Sequence, residues 1–197
     1  MDYYVVGLGN PGETYKHTRH NAGRIVLEAV RERYAFSDWR KDKMRKALVC
    51  DGEMAGHRVH FIAPDNYMNN SGESVRMLRR DGAAYEHLFV IHDDIDLPIG
   101  GMKISFGRGA GGHNGVRSII RHLGTRDFVR IRIGVAPVTF WGKIKKPKGE
   151  KSVSDFLLKP FTPGELRKIR HISKAAHDAM MMIIAEGRPK AMSVFNE

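Results

Sequence analysis

YYVVGLGNPG (residues 3–12) decides the architecture, because an apolar run that ends in closely spaced glycines reads as a buried strand entering a tight turn. Gly7, Gly9 and Gly12 also satisfy G-x-G-x-x-G, which raises a dinucleotide-binding reading and, with it, an NAD-linked oxidoreductase. In that fold the last glycine lies in the opening of a helix whose N-terminus takes the pyrophosphate. Here Pro11 interrupts the motif and helical periodicity begins only near Asn21. Glu28 and Glu32 sit on that helix, not at the end of a second strand where the ribose partner belongs. The favoured reading is a turn that presents Asn10 at the C-terminal end of a strand, where α/β sheets place ligand sites.

Outward from this strand, residues 21–36 carry Ile25, Val26, Ala29, Val30 and Tyr34 at helical spacing. KALVC (46–50) and HRVHFIA (57–63) read as a strand pair joined through DGEMAG. A short helix is expected over 71–83, a strongly apolar strand over 87–93, and a turn and strand over 97–107. GHNGVRSIIRHLG (112–124) reads as a helix closed by Gly124, and DFVRIRIGVA (127–136) as a half-buried alternating strand. Residues 140–151 hold Lys143, Lys145, Lys146, Lys148 and Lys151 with little apolar content, so a mobile basic loop is expected. Thr162-Pro163-Gly164-Glu165 is a capping-box start. The helix behind it places Leu166, Ile169, Ile172, Ala176, Met180 and Ile183 on one face, and Gly187 and Pro189 end it before a tail at 187–197. Strands alternating with helices predict a single α/β domain over 1–197, a twisted mixed, partly parallel sheet flanked by helices.

The 197 residues suit one domain with a real core. Lys and Arg total 33 against 22 Asp and Glu, a net charge of +11, which favours a polyanionic partner: nucleic acid first, a membrane surface second. The N-terminus has no basic segment followed by a long apolar one, so no signal peptide is expected, and no apolar run spans a bilayer. The single cysteine, Cys50, lies in an apolar run, reads as core, and suits a reducing cytoplasm.

Four further stretches carry chemistry. KHTRHNAGR (16–24) clusters Lys16, His17, Arg19, His20 and Arg24, a phosphate patch or the seat of a histidine base. IHDDIDLP (91–98) offers His92, Asp93, Asp94 and Asp96, an oxygen-rich set of the kind magnesium takes. A strand alternates its faces, however, so neighbouring carboxylates diverge, and Asp93 can instead orient a histidine. GRGAGGHNG (107–115) brings bare backbone close to something, with His113 and Asn114 opening a helix whose free N–H groups suit a phosphate or oxyanion; the plain alternative is a flexible turn with Asn114 as N-cap. PDNYMNNSG (64–72) adds Asn66, Asn69 and Asn70, uncharged donors and acceptors that suit a peptide backbone or ribose, or serve as turn chemistry.

GLGNPG, TRHNAG, YMNNSG, HDDIDLP and AGGHNG, in this order, resemble the bacterial-type peptidyl-tRNA hydrolases, over about residues 4 to 135 and on through VSDFLLKPF. The resemblance implies a monomer that needs no metal or cofactor. It implies hydrolysis of the ester between a peptide and the 3′ ribose of tRNA, the acceptor end and 5′ phosphate lying in the cleft. It makes His20 the general base and Asp93 the carboxylate that holds it. Asn10 matches the residue that separates blocked from free aminoacyl-tRNA; Asn69 and Asn114 match groups that hold substrate and water. Tyr15 and Tyr67 match positions at the tRNA end of the cleft and Met68 its peptide end; His113, Lys103, Arg108 and Arg132 fall on the substrate-binding surface.

The chemistry agrees with that implication. Histidine, with an ordinary pKa of about 6.5, is mostly neutral and usefully basic near pH 7. Arg19 and Arg24 are expected to keep it neutral, and Asp93 to stabilise the imidazolium formed during attack. The chain departs from the family where Ser105 replaces a basic residue two positions after Lys103, where Arg108 stands in place of a common glycine, at Asp65-Asn66, and where Ala136-Pro137-Val138 and a lysine-rich segment replace Gly-Arg-Pro. Arg108 is expected to compensate for Ser105. The alternative function is a noncatalytic RNA-binding relative of the same fold.

Overall fold

The computed structural model describes residues 1–80, 85–139, 141 and 143–196. The last three residues of the expected 71–83 helix, and Phe140 and Gly142 of the expected basic loop, lie outside the described residues. The elements in chain order are β1 (Asp2–Gly7), α1 (Ala22–Arg33), β2 (Arg40–Asp42), β3 (Ala47–Met54), β4 (His57–Pro64), α2 (Arg76–Arg80), β5 (Leu88–Pro98), β6 (Met102–Phe106), α3 (Asn114–Leu123), β7 (Val129–Ala136), α4 (Glu150–Leu157), α5 (Pro163–Glu186) and α6 (Arg188–Phe195).

Seven strands form one mixed sheet in the order β2-β3-β4-β1-β5-β7-β6. β4, β1, β5 and β7 run parallel, β3 and β6 join the two ends of this set antiparallel, and β2 pairs antiparallel with β3. Alternation along β1 divides the core. Tyr3 and Val5 pack with α1 and α5 on one face, and Val6 and Leu8 pack with α3 and Met68 on the other. The chain leaves β1 for β4 on one side and returns as β5 on the other. The strand ends around β1 are therefore a topological switch point, where open α/β sheets bind ligands.

Several expectations are corrected. DGEMAG is not all turn: β3 runs through Met54, and only Ala55 (φ 49°) and Gly56 (φ 74°) reverse the chain. Two left-handed residues match the strand twist of a two-residue hairpin. The helix expected from residue 71 is a 3-10 segment over Met68–Ser74 followed by the short α2. β7 is buried at seven of its eight positions, not half-buried, because β5 and β6 flank it. The expected loop ends earlier, since Glu150 and Lys151 open α4. The expected tail is α6: Pro189 sits in its first turn, Ala191 is fully buried, and the Arg188 guanidinium stacks 3.5 Å from the Phe106 ring centroid. The predicted capping box at Thr162 and Glu165 is present in full.

Candidate active site

The site is assembled from the buried residue that precedes it. Arg19 donates to the carbonyls of Lys159 (3.2 Å) and Pro160 (2.8 Å) and makes a two-pronged bond to Glu165 (3.0 and 2.9 Å). Its guanidinium also lies over Phe156 and Phe161. This cation is a structural anchor and not a phosphate ligand, which corrects its expected role as a surface charge tuning His20. Arg24 donates to the Pro64 carbonyl at 3.0 Å, so it too is spent on the scaffold. The helix that follows packs closely on β5: a Cβ at Gly23 would stand 2.1 Å from the Ile91 carbonyl oxygen, so only glycine lets α1 carry His20 this near the strand of Asp93.

His20 Nδ1 lies 2.9 and 3.1 Å from the two carboxylate oxygens of Asp93. His113 Nε2 lies 2.9 Å from Asp93 Oδ1. The protons follow from the remaining contacts. His113 Nδ1 accepts from the backbone N–H groups of Gly115 and Val116, so it carries no proton, and Nε2–H donates to Asp93. His113, not Asn114, is therefore the side-chain cap of α3. His20 donates Nδ1–H to the carboxylate, and its Nε2 has no hydrogen-bond partner among the described residues. That nitrogen is a lone pair open to the cleft.

Burial pushes the His20 imidazole towards neutrality, but the charge and hydrogen bonds of Asp93 outweigh it and leave the pKa raised. Burial opposes the Asp93 anion, yet His20 and His113 hold its carboxyl well below the ordinary range. His92 sits beside this pair, donates Nδ1–H to the Asp93 backbone carbonyl at 2.8 Å, and is pushed down to about 3 by complete burial, so it stays neutral.

His20, Asp93 and His113 bring candidate ligand atoms within 4.8 Å of one another. The proton on His113 Nε2, fixed by the helix cap, makes that nitrogen a donor and not a metal ligand. The oxygen-rich set read from the sequence also disperses. Asp94 accepts from Arg132 Nε at 2.7 Å, and Asp96 pairs with Lys146.

His20, Asp93, His113 and Asn114 line a cleft of about 1070 Å³ with Lys103, Arg108, Arg117, Arg130 and Arg132. The cations differ in what holds them. Lys103 donates to the Asn196 carbonyl at 2.9 Å, and Arg132 is paired with Asp94. Arg108 is exposed and makes no ion pair or hydrogen bond among the described residues. Arg130 is 3% exposed and donates to the Gly109 carbonyl, but its Nε and one terminal nitrogen have no partner among the described residues. Ser105, its cross-strand neighbour, also has a buried hydroxyl without a partner there.

The other predicted residues form a second cluster beside the cleft. Asn10 Oδ1 accepts from the Met68 N–H at 2.8 Å, so the β1 and β4 loops are tied together. Asn21 accepts from the Asn10 N–H (2.8 Å) and donates to its carbonyl (2.9 Å), linking this cluster to the residue next to His20. Tyr15 and Tyr67 meet edge to face at 6.5 Å, and Asn69 is exposed beside them. Met68 is 4% exposed and packs in the core. Sequence reasoning missed Asn21, the capping role of His113, Arg130 and Asn196. Asn21 stands inside the quoted TRHNAG, but its two-way bond to Asn10 spans eleven residues and has no local signature.

A family model described as peptidyl-tRNA hydrolase matches residues 4–197. A peptidyl-tRNA hydrolase of Geobacter sp. (strain M21) is 40% identical over 194 residues, covering 98% of this chain and 96% of that one. One from Brevibacillus brevis is 38% identical over 193 residues, covering 98% and 96%. The crystal structure of peptidyl-tRNA hydrolase from Acinetobacter baumannii superposes with a TM-score of 0.86 at 31% identity, covering 98% of this chain and 94% of that one.

Proposed function

The chain belongs to the peptidyl-tRNA hydrolase family and is an enzyme of that type, and we propose that His20 is the base with which it cleaves peptidyl-tRNA. The observation that carries this assignment is the Asp93-held imidazole whose Nε2 is left without a partner in a cationic cleft. A water in the cleft gives its proton to Nε2 as its oxygen adds to the ester carbonyl carbon. The bond from that carbon to the ribose oxygen then breaks, and the imidazolium returns the proton to the departing ribose hydroxyl. Asp93 keeps Nδ1 protonated throughout and stabilises the transient positive charge. The Asn114 amide lines the same cleft, its oxygen accepting from Arg117, and so its NH₂ is available to water or the developing oxyanion.

The acceptor end of tRNA is the part that enters, with its 5′ phosphate towards Arg108 and Arg130. The unpaired nitrogens of Arg130 and the unengaged Arg108 support this placement, and Arg108 takes over from the basic residue that Ser105 replaces. Asn10, tied to the Met68 N–H, and the exposed Asn69 are the proposed contacts for the rest of the substrate. No helix among the described residues is long and apolar enough to cross a membrane. With the buried thiol of Cys50 and a translational substrate, the cytoplasm is the proposed place of action, with the enzyme monomeric.

The test is cleavage of N-blocked and unblocked aminoacyl-tRNA by the purified protein. Release from the blocked substrate alone supports the assignment. RNA binding without release points to the noncatalytic alternative.

A further inference from the structure

We propose that the segment between β7 and α4 is a docking arm for the tRNA substrate, in which Trp141 stacks on an unpaired base and the neighbouring lysines take the adjacent phosphates. The inference rests on the peptidyl-tRNA reading of the cleft. Val138 and Ile144 pair as an antiparallel bridge, Thr139 N–H donates to the Lys143 carbonyl (2.8 Å), and Lys145 N–H donates to the Pro137 carbonyl (2.9 Å). These bonds pair residues 137–139 with 143–145, and Trp141 lies in the sequence between the two. Trp141 is 83% exposed, whereas the chain's other tryptophan, Trp39, packs against the core. Val138 (45%) and Ile144 (39%) are also exposed.

A tryptophan this exposed marks a contact surface. Its surroundings say which kind. Lys143, Lys145, Lys146, Lys148 and Lys151 are all exposed on the same stretch. Lysine is depleted where proteins meet proteins, while a π-face flanked by ammonium groups matches a nucleic-acid strand, whose bases stack and whose phosphates alternate with them. Single-stranded RNA presents unpaired bases for such stacking, and duplex RNA does not. The arm is also continuous with the cleft. Lys146 pairs with Asp96, and Asp96 and Glu150 line the cleft that holds His20. Membrane surface is the other polyanion that a tryptophan among lysines suits, but the anchoring of the arm to the cleft rim favours the substrate.

The experiment titrates deacylated tRNA into the wild-type protein, Trp141→Phe, Trp141→Ala and Lys145→Ala/Lys148→Ala, after thermal melts confirm equal folding. The expected result is a Kd raised about five- to a hundred-fold in Trp141→Ala, the worth of one base stack, and within a few-fold in Trp141→Phe. The lysine pair is expected to flatten the dependence of log Kd on log salt by about one unit for each phosphate that is no longer neutralised. The KM for N-blocked aminoacyl-tRNA is expected to rise in Trp141→Ala in step with the Kd. An unchanged Kd in Trp141→Ala overturns the arm, as does an equal loss against a blunt RNA duplex. Trp141-dependent binding to phosphatidylserine vesicles but not to tRNA overturns it in favour of a membrane. If the wild type cleaves substrate while Trp141→Ala binds tRNA normally, the arm fails and the site assignment stands; if the wild type neither binds nor cleaves, both fall.

Discussion

His113 Nε2 stands 2.9 Å from Asp93 Oδ1, the same oxygen that lies 2.9 Å from His20 Nδ1. One carboxylate thus holds two imidazoles, and one of those imidazoles also caps α3. The helix and the base are located against each other through a single buried anion.

Replacing His20 by Ala removes the group placed to take a proton from water. The rate of ester cleavage is expected to fall by about 10²–10⁴ while tRNA affinity stays within a few-fold. Single-turnover release from N-blocked aminoacyl-tRNA measures it; near wild-type turnover removes His20 from the mechanism.

Asp93→Asn is expected to slow the reaction less severely and to move its pH profile. Burial alone lowers the His20 pKa and Asp93 raises it above the ordinary value, so the acidic limb of kcat/KM in the wild type sits above about 6.5. Removing the anion leaves burial in control and shifts that limb to lower pH. The linkage has the same two signs. The raised His20 contributes stability that is full below about pH 6.5 and is lost as pH rises through its folded value. The depressed Asp93 contributes stability present above about pH 4 and lost as pH falls through its lowered value. A profile that does not move contradicts the orienting role.

His113 separates capping from orientation. Asparagine caps helices well but cannot reach Asp93 as the imidazole does, so His113→Asn is expected to melt near the wild type yet turn over more slowly. His113→Ala removes both the cap and the bond to Asp93, and about 1 kcal/mol of stability goes with the cap. Equal kinetics in the two variants and the wild type show that the bond to Asp93 is idle.

Arg19→Met breaks a largely buried ion pair and leaves Glu165 with only the Thr162 N–H, at a cost of about 3 kcal/mol. Thermal or denaturant unfolding reports it. The tRNA affinity of the folded protein is expected to be unchanged, because both terminal nitrogens of Arg19 are engaged within the fold. Weaker tRNA binding with undiminished stability reverses the assignment.

Arg108→Gly is expected to weaken tRNA binding at low salt and reduce the salt slope by about one unit, since Arg108 has no partner among the described residues to keep. An affinity that does not change rejects its role as the substitute for the basic residue missing at Ser105.

Much of this protein is written locally. The apolar run before Gly7, the helical spacing after Asn21, the capping box at Thr162 and the closing Gly124 each depend on neighbours a few residues apart, and each stands where the sequence places it. The ordered motifs also single out His20, Asp93 and Asn114, which share one cleft. What the sequence leaves open is how its charges are spent. Arg19, Arg24, Lys103 and Arg132 read alike as surface cations, but partners far along the chain at Glu165, Pro64 and Asn196, and across the sheet at Asp94, neutralise or occupy them. The same holds for the tail that becomes α6 and for His113, whose tautomer depends on two backbone N–H groups and a carboxylate twenty residues away. Periodicity and turn chemistry act over a few residues and are legible in the sequence. Pairing across the fold depends on which distant groups burial brings together, and only the tertiary structure decides it.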